Sequence, residues 1–531
     1  MTDSREAPIL GIDLGTTKSM ACVVPEGDDR PIIIRPDPRL PADWMPSVFC
    51  MTEDGPVVGE EARQLLNDSR YREDVVQCVK RYMHIEGRLF PRHDPQLRAL
   101  DVSAFILKHL RERAERQLGL SPGSITEAVV TVPAYFGYIE RRQTRLAARD
   151  AGFDYSKVSL VDEPIAAAIG LGLHLRPGAR LVMVIDLGGG TLDVTLLRVG
   201  GGVGGCGFME LGRDGHNALG GLNWDEEIAK TAVIEHDLDP DALKTDNIAL
   251  YLPAEEIKIF FCTTWQMDER LLNFYDRDSQ KVLDTVIKRA DFVRNTRPLA
   301  ERCGKICDRL LQGLHESDLA SLLEKRKRWG GLLPARRLRK IGWEDLDDVI
   351  MVGGGSQVGA VQEVIRRRWG RPPTVPDKPQ HQVAFGAGLC AGHQFEGSPL
   401  RSPHTIGHWY YPQGPAGPRE FKALIHRNER IDEKRDTRFR CRVDGTGSTL
   451  AVELAEERLD PSDDEQAVEY FELGSIQLAD LPPRSRSQAE YVQFHLRCYN
   501  EREMRITAEF RGQAKTVNLS RGVSFKPAGN G

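Results

Sequence analysis

Residues 184–193, Val-Ile-Asp-Leu-Gly-Gly-Gly-Thr-Leu-Asp, constrain the fold of this chain more than any other stretch. A short apolar run ends on Asp186, three glycines follow, and alternation resumes through Asp193, which predicts a strand–turn–strand unit. Because glycine has no Cβ, such a turn can bring backbone N–H groups against a ligand. A carboxylate beside these donors repels a phosphate unless a cation lies between them. The composition therefore indicates a magnesium-bound nucleotide.

The same pattern occurs earlier, at residues 9–17, which read Ile-Leu-Gly-Ile-Asp-Leu-Gly-Thr-Thr. Thr16 and Thr17 offer hydroxyl and amide donors to phosphate oxygens, and Asp13 can hold magnesium through water. Taken alone, this loop also fits an ordinary polar hairpin. It is not a Walker motif, because residues 20–24 continue as a strand where that motif opens a helix. A third glycine turn follows the apolar run at residues 349–352.

Between these turns, apolar strands at residues 128–133 and 158–161 alternate with helices at 101–118 and 141–151. This alternation predicts an α/β fold whose loops gather at one end.

Three charged positions in this part of the chain have an ordinary structural explanation and a functional one. Lys80 lies in the charged, helical pattern of residues 60–89, where a solvated lysine is typical. Glu163 precedes Pro164 at a helix start and fits a partner of the helix dipole. Glu255 and Lys258 share a helical face, as a salt bridge or as paired hydrogen-bonding groups.

Composition excludes several classes of protein. The 531 residues predict more than one domain, and 40% hydrophobic with 28% charged residues is typical of a soluble globular chain. The net charge of -6 favours no nucleic acid partner. No apolar run is long enough for a transmembrane helix, and no signal peptide is expected at the N-terminus. Ten cysteines without a Cys-x-x-Cys pair favour a reducing cytoplasm.

The chain changes character after Gly392. Residues 395–418 are rich in Pro, Gly and His and are predicted as a linker. Period-two alternation then predicts an antiparallel β-sandwich over residues 419–521, followed by a tail at 522–531. Residues 1–394 form the preceding domain. Within it, the basic runs of residues 325–340 fit a solvated insertion or a docking site for an acidic partner.

Taken in order, the three glycine turns resemble the phosphate-1, phosphate-2 and adenosine loops of actin-like ATPases. The nearest resemblance is to the 70-kDa heat-shock (Hsp70, DnaK-type) chaperones. It is carried by residues 11–17, Val130-Thr131-Val132-Pro133-Ala134-Tyr135-Phe136, Asp162-Glu163-Pro164-Ile165-Ala166-Ala167-Ala168, residues 186–193 and residues 352–354. The resemblance covers residues 8–393, and the β region shares it more faintly. It implies an actin-like (ribonuclease H-like) two-lobed ATPase domain followed by a β-sandwich. The implied activity is magnesium-dependent hydrolysis of ATP to ADP and phosphate.

The resemblance also implies site residues. Lys80, Glu163, Asp193, Thr191 and Asp13 would be catalytic, with Lys80 stabilising the transferring phosphate and Glu163 and Asp193 orienting the attacking water. Asp13 and Asp186 would hold magnesium through water. The remaining nucleotide contacts would come from the loops and one helix: Gly15, Thr16, Thr17, Lys18, Gly188, Gly189, Gly190, Glu255, Lys258, Ile259, Cys262, Gly354, Gly355, Ser356 and Gln357.

The sequence departs from the family at several points. Lys18 replaces a tyrosine, Gln357 replaces the arginine that stacks on adenine, and the apolar linker and helical lid are not recognised. The expected function is an ATP-hydrolysing chaperone that binds unfolded or extended polypeptide, together with a co-chaperone or nucleotide-exchange factor. The altered linker and the unrecognised lid leave open a nucleotide-gated scaffold or regulatory binding protein without folding activity.

Overall fold

The computed structural model describes residues 7–25, 30–85, 97–175, 180–200, 208–216, 218–243, 248–264, 267–276, 279–314, 341–392, 400–401, 405–410, 420–425, 430–431, 436–443, 450–459, 468–478, 490–500, 503–510 and 513–518. The chain divides into two compact units. The first comprises residues 1–135 and 143–396, and the second comprises residues 136–142 and 397–531. The basic runs predicted as an insertion at residues 325–340 lie outside the described residues.

The strands of the first unit are short and mostly buried. They are β1 (Leu10–Asp13), β2 (Lys18–Val23), β3 (Ile32–Ile34), β4 (Met45–Pro46), β5 (Val48–Thr52), β6 (Gly55–Val58), β7 (Val75–Gln77), β8 (Ala128–Val132), β9 (Val158–Asp162), β10 (Arg180–Leu187), β11 (Leu192–Val199), β12 (Phe208–His216), β13 (Glu269–Asp276), β14 (Lys281–Lys288) and β15 (Asp348–Val352).

The described α-helices follow or separate these strands. They are α1 (Glu60–Gln64), α2 (Ala99–Leu118), α3 (Tyr138–Asp150), α4 (Glu163–Gly170), α5 (Gly221–Glu235), α6 (Ile248–Thr263), α7 (Arg289–Gln312), α8 (Gly359–Trp369) and α9 (Gln382–Gly392). Single 3-10 turns occur at Leu65–Asn67, Arg72–Asp74, Val79–Tyr82, Tyr155–Lys157, Leu173–Leu175, Pro240–Leu243, Trp343–Asp345, Gly354–Gln357 and Pro379–His381.

Two sheets of the first unit repeat one pairing pattern. The first sheet has the order β3-β2-β1-β8-β9, and β4 also pairs with β2; the second has the order β12-β11-β10-β15. In each, the strand before the glycine turn is antiparallel to the next strand and parallel to a later one. Each glycine turn therefore lies at the carboxyl edge of its sheet, where ligands of α/β proteins bind. The predicted strand–turn–strand units and α/β fold are confirmed.

Strand β10 is buried on both faces, as its continuous apolar sequence requires. Met183 and Ile185 belong to a hydrophobic cluster with Trp224 of α5. Val182 and Val184 belong to another cluster, which contains the alanines of α4. Helices on both sides thus fix the strand that ends at the second glycine turn.

Small residues bring α9 against the first sheet. A Cβ at Gly386 would lie 1.7 Å from the Ala166 carbonyl oxygen of α4, and one at Gly388 would lie 2.5 Å from Cys22 Sγ of β2. Gly386 and Gly388 therefore serve close packing of α9 against α4 and β2.

The prediction of a continuous helical pattern over residues 60–89 is wrong for its described part. α1 ends at Gln64, and β7 follows after two 3-10 turns and joins the three-stranded sheet β6-β5-β7. Cys78 then has a φ of 60°, a left-handed conformation that interrupts any helix before the turn Val79–Tyr82. Charge spacing alone could not reveal this break.

The second unit contains the strands β16 (Leu400–Arg401), β17 (Thr405–Tyr410), β18 (Glu420–Ile425), β19 (Arg430–Ile431), β20 (Asp436–Val443), β21 (Leu450–Leu459), β22 (Val468–Leu478), β23 (Glu490–Asn500), β24 (Glu503–Phe510) and β25 (Gln513–Asn518). Two four-stranded antiparallel sheets have the orders β18-β17-β21-β22 and β20-β23-β24-β25. His408 of one sheet stacks on Phe439 of the other at 4.7 Å between ring centroids, and Phe439 stacks on Phe494. The predicted β-sandwich is confirmed.

The segment predicted as a linker, residues 395–418, contains strand structure. β16 pairs with β19, and β17 is an inner strand between β18 and β21. The linker prediction is wrong for these residues, because they pair with neighbouring strands and bury Ile406 and His408. The Pro and Gly residues in the surrounding sequence had favoured a linker. Within the described ranges, no helix has both the length and the apolar character needed to cross a membrane.

Candidate active site

The glycine turns of the first unit meet at a cavity of about 300 Å³, a volume found for small-molecule sites. Most of the residues predicted from the sequence line it: Asp13, Gly15, Thr16, Thr17, Lys18, Lys80, Glu163, Asp186, Gly188, Gly189, Thr191, Glu255, Lys258, Ile259, Cys262, Gly354, Gly355 and Gln357. The other lining residues are Trp44, Gly221, Thr263, Gly353, Val358, Gln380 and Val383.

The first turn is held through its carbonyl groups. The Ser47 amide donates to the Thr17 carbonyl at 2.8 Å, and the Ser47 hydroxyl donates to the Gly15 carbonyl at 2.8 Å. Neither bond uses an amide of the turn. The fixed turn can therefore present its N–H groups to an anion in the cavity.

The second turn is held by the start of α5. The Gly221 amide donates to the Gly188 carbonyl at 2.9 Å, and the Leu222 amide donates to the Gly189 carbonyl at 2.7 Å. A Cβ at Gly189 would lie 2.1 Å from Thr17 Oγ1. The first and second turns therefore approach each other so closely that only glycine fits at this position.

The third turn lies directly against Asp186, the carboxylate that precedes the second turn. Gly353 has a φ of 78°, and a Cβ on it would lie 2.4 Å from Asp186 Oδ1. Its amide donates to the Pro379 carbonyl at 3.1 Å, and the Ser356 hydroxyl donates to the Gly353 carbonyl at 2.7 Å. Ser356 is completely buried in this role, so it does not line the cavity as predicted.

Lys80 and Glu163 form a buried ion pair on the cavity wall. Their side chains are 5% and 8% exposed, and the ammonium group is within hydrogen-bonding distance of the carboxylate. Lys80 is held by the 3-10 turn after Cys78, while Glu163 is the first residue of α4, ahead of Pro164. This burial contradicts the solvated lysine that composition favoured. Composition could not reveal the pair, because Glu163 lies 83 residues away in the sequence.

Asp186 is buried and Asp13 is partly buried, and both carboxyl groups line the cavity. Burial raises the pKa of Asp13 to about 7, with repulsion from Glu163 adding and Lys80 and the Thr131 hydroxyl opposing. Burial, then Glu163 and Asp13, raise the pKa of Asp186 well above its usual value. A bound cation would offset this cost of ionisation.

This donor set fits magnesium held through water. Among the residues that the structure describes, no three His, Cys, Asp or Glu side chains are grouped to hold a metal directly. Magnesium commonly keeps several waters and takes one or two carboxylates with substrate phosphates.

Asp193 and Gly190, both predicted site residues, do not line the cavity. Asp193 lies directly across the β10–β11 ladder from Asp186 and is completely buried. Its Oδ1 accepts the Ala134 amide at 2.6 Å and the Tyr135 amide at 3.4 Å. The Gly190 carbonyl accepts from Arg81 at 2.8 Å. The structure places both residues behind the wall.

Glu255 and Lys258 of α6 also line the cavity, each with its own partner. Lys258 Nζ lies 2.8 Å from the Asp225 carboxylate and 3.2 Å from the Gly221 carbonyl oxygen. Lys18 Nζ lies 3.4 Å from Glu255 and 4.3 Å from the centre of the Trp44 ring. Lys258 therefore pairs with Asp225, and Glu255 pairs with Lys18.

Sequence reasoning missed several residues of this site. Asp225 was visible only as an acidic residue near a helix start, and burial raises its pKa to about 7 against the opposing Lys258. Gln380 lies in the run Lys378-Pro379-Gln380-His381-Gln382, where the family resemblance implies Asn-Pro-Asp-Glu-Ala, but it was not predicted as a site residue. Trp44 gave no periodic or motif signal, because its role depends on a contact with Lys18.

The fold and site together define an actin-like ATPase. Two sheets with one pairing pattern present glycine turns to one cavity, whose wall carries buried carboxylates and a lysine–glutamate pair.

Comparison with known proteins supports this class and narrows it. The family model described as Hsp70 protein matches residues 90–322. The chaperone protein DnaK of Methanothermobacter thermautotrophicus is 31% identical over 91% of this chain and 75% of its own length. The corresponding values are 30%, 91% and 75% for DnaK of Thermosipho melanesiensis. They are 29%, 97% and 79% for DnaK of Mycoplasma mobile. The chain therefore belongs to the Hsp70 family of ATPase chaperones.

Proposed function

We propose that this protein hydrolyses magnesium-bound ATP in the cavity of the first unit and couples the nucleotide state to polypeptide binding by the β-sandwich. The observation that carries the proposal is the buried Lys80–Glu163 pair beside three glycine turns. Such a site supplies oriented donors and fixed charge, which provide most of the catalysis in phosphoryl transfer.

The β- and γ-phosphates would bind the amides and hydroxyls of the first two turns. Thr16, Thr17 and Thr191 supply hydroxyl groups, while Gly189 supplies a backbone donor. Gly190, which the sequence also predicted as a phosphate contact, does not line the cavity and instead accepts a hydrogen bond from Arg81 through its carbonyl. Asp13 and Asp186 would hold magnesium through water, and the ion, when bound, would neutralise phosphate charge. Their raised pKa values and their place in the cavity lining support this assignment.

Lys80 would stabilise negative charge on the transferring phosphate. Glu163, paired with it, would orient the attacking water or accept its proton. Asp193 would act as a positioning residue, since its carboxylate binds the backbone of Ala134 and Tyr135 and does not reach the cavity. This role replaces the direct contact with water that the sequence suggested.

The nucleoside would lie between α6 and the third turn. Glu255 and Lys258 would contact the ribose, with Ile259 and Cys262 beside it. Gly354, Gly355 and Gln357 would border the adenine. Gln357 lacks the flat cation of an arginine, so stacking on the base would be weaker.

The β-sandwich would bind unfolded or extended polypeptide, as the name chaperone of the related DnaK proteins suggests. A co-chaperone or nucleotide-exchange factor would act on the first unit. A cytoplasmic location is in keeping with the cysteines whose side chains the structure describes, which are free thiols: Cys22, Cys50, Cys78, Cys262, Cys303, Cys307 and Cys390.

Single-turnover hydrolysis of ATP by the full chain tests the proposal. Lys80→Ala should lower the rate at least about 100-fold, because one preorganised charge contact contributes that much to the barrier. Lys157→Ala, which removes a lysine paired with Glu127 at the surface, is the matched control. Equal rates for both variants and the parent would refute the site assignment.

Addition of an unfolded, reduced polypeptide tests the coupling. Stimulation of steady-state hydrolysis is expected. An unchanged rate, together with normal nucleotide binding, would refute coupling and favour the nucleotide-gated scaffold.

A further inference from the structure

Arg213 of β12 is a buried charged residue outside the cavity. Its side chain is 2% exposed, yet it carries a full positive charge deep in the first unit. Its Nε donates to Glu210 Oε1 at 2.6 Å on the same strand. A buried guanidinium with one carboxylate partner could be a structural ion pair, so its other contacts decide its role.

Those contacts lead to two predicted catalytic carboxylates. One terminal nitrogen of Arg213 donates to the Ala134 carbonyl at 2.6 Å, and the Ala134 amide donates to Asp193 Oδ1 at 2.6 Å. The other terminal nitrogen lies 2.8 Å from Asp162 Oδ2. Asp162 ends β9 and immediately precedes Glu163, the first residue of α4.

We propose that Arg213 is a positioning residue for hydrolysis, because one guanidinium joins the backbone that holds Asp193 to the residue that precedes Glu163. Among the described residues, Glu210, Ala134 and Asp162 accept from it, and they come from β12, from the segment after β8 and from the end of β9. The guanidinium therefore ties the second sheet to two strand ends of the first. Its effect on the reaction passes through Glu163 and its partner Lys80, since Arg213 does not line the cavity.

Arginine suits this position in a way that lysine does not. The planar guanidinium presents its donors in a fixed fork, whereas an ammonium group is a point charge on a flexible chain. A lysine at 213 would keep the positive charge near Glu210 and Asp162 but could not hold the three acceptors in the same geometry. Charge and geometry can thus be separated by one conservative substitution.

The test rests on the proposed hydrolysis and uses the full chain with Arg213→Lys and Arg213→Met/Glu210→Leu/Asp162→Asn. The triple variant removes both buried carboxylates together with the guanidinium, so it leaves no uncompensated charge. Single-turnover hydrolysis and nucleotide affinity are measured separately, well below the unfolding temperature of each variant. We expect the rate to fall about 10- to 100-fold in both variants, as for a misplaced catalytic group, while affinity changes less than about threefold.

Arg309 provides the matched control. It pairs with the neighbouring carboxylate of β12, Asp214, at 2.6 Å and 2.7 Å. Arg309→Lys should lower thermal stability as Arg213→Lys does but leave the hydrolysis rate at that of the parent. Such a split separates positioning from stability.

Parent-like hydrolysis by the two Arg213 variants would overturn the role of Arg213 alone. An equal fall in rate with Arg309→Lys would also overturn it, because the effect would then follow stability. Absence of hydrolysis by the parent chain would instead refute the proposed function.

Discussion

The two halves of the first unit share a strand pattern but differ in what they bring to the cavity. The N-terminal half comprises residues 7–135 and 143–175, and the C-terminal half comprises residues 180–376. The N-terminal half supplies reactive side chains: the threonines of its turn and the Lys80–Glu163 pair. The C-terminal half supplies closely packed glycine turns, the Thr191 hydroxyl and the α6 residues Glu255 and Lys258. Asp13 and Asp186 are their common element, one at the end of each turn-bearing strand.

This difference suggests a division of labour between the halves. Side chains that stabilise charge at the reacting phosphate should govern the rate of the chemical step. Contacts with the nucleoside, and the geometry of the glycine turns, should govern nucleotide affinity. These interactions are equally strong in the ground state and in the transition state. Substitutions in the N-terminal half should therefore change mainly the hydrolysis rate, and substitutions in the C-terminal half should change mainly nucleotide affinity.

The largest effect is expected on the N-terminal side, from Glu163→Gln. The amide keeps the shape of the side chain but cannot accept a proton, so single-turnover hydrolysis should fall at least about 100-fold. Nucleotide affinity, measured by titration calorimetry, should change less than about threefold. Glu127→Gln is the control, since it removes a carboxylate from an exposed pair with Lys157. A large loss of affinity with Glu163→Gln would contradict the division.

An intermediate effect is expected on the C-terminal side, from Gly353→Ala. The new Cβ would lie 2.4 Å from Asp186 Oδ1, so the turn or the carboxylate must move. We expect affinity for magnesium-bound ATP to fall about 30-fold, in line with a displacement on the order of 1 Å at a polar site.

Gly370→Ala is the control for the general cost of a side chain at a positive φ. Gly370 has a φ of 84° and a ψ of -1°, in the left-handed helical region, whereas Gly353 has a ψ of 163°, in a region that only glycine adopts readily. A Cβ at Gly370 would meet nothing within 4 Å. It should cost about 1–2 kcal/mol of unfolding free energy in urea and leave affinity unchanged. Equal affinity losses in the two glycine variants would mean that strain, and not contact with Asp186, weakens binding.

The smallest effect is expected from Lys258→Met. Loss of the ammonium group should weaken nucleotide binding about fivefold, through one hydrogen bond, and leave the single-turnover rate unchanged. The fold should tolerate the change because the Asp225 partner already has a pKa of about 7 and can become neutral. Lys230→Met, which affects a half-exposed pair with Glu227, is the control. A fall in the single-turnover rate would mean that Lys258 contributes to the chemical step, as the residues of the N-terminal half are expected to do.

The sequence by itself determined the local parts of this protein. Residues 9–17 and 184–193 specify strands that meet at glycine turns, because strand alternation and the absence of a Cβ act over a few neighbouring residues. The same short-range rules predicted the helix that carries Glu255 and Lys258 and the alternating strands of the β-sandwich. Resemblance to a known family then added roles that spacing could not supply.

Only the tertiary structure decided which charged groups are buried together. Lys80 looks like a surface residue until its contact with Glu163 is seen, and Arg213 has no local signal at all. Asp193 looked like a site residue, but its carboxylate accepts a hydrogen bond from the Ala134 amide, 59 residues away in the sequence. The physical reason is that burial and pairing depend on distant segments meeting, and the cost of a buried charge is set by the partner it meets there.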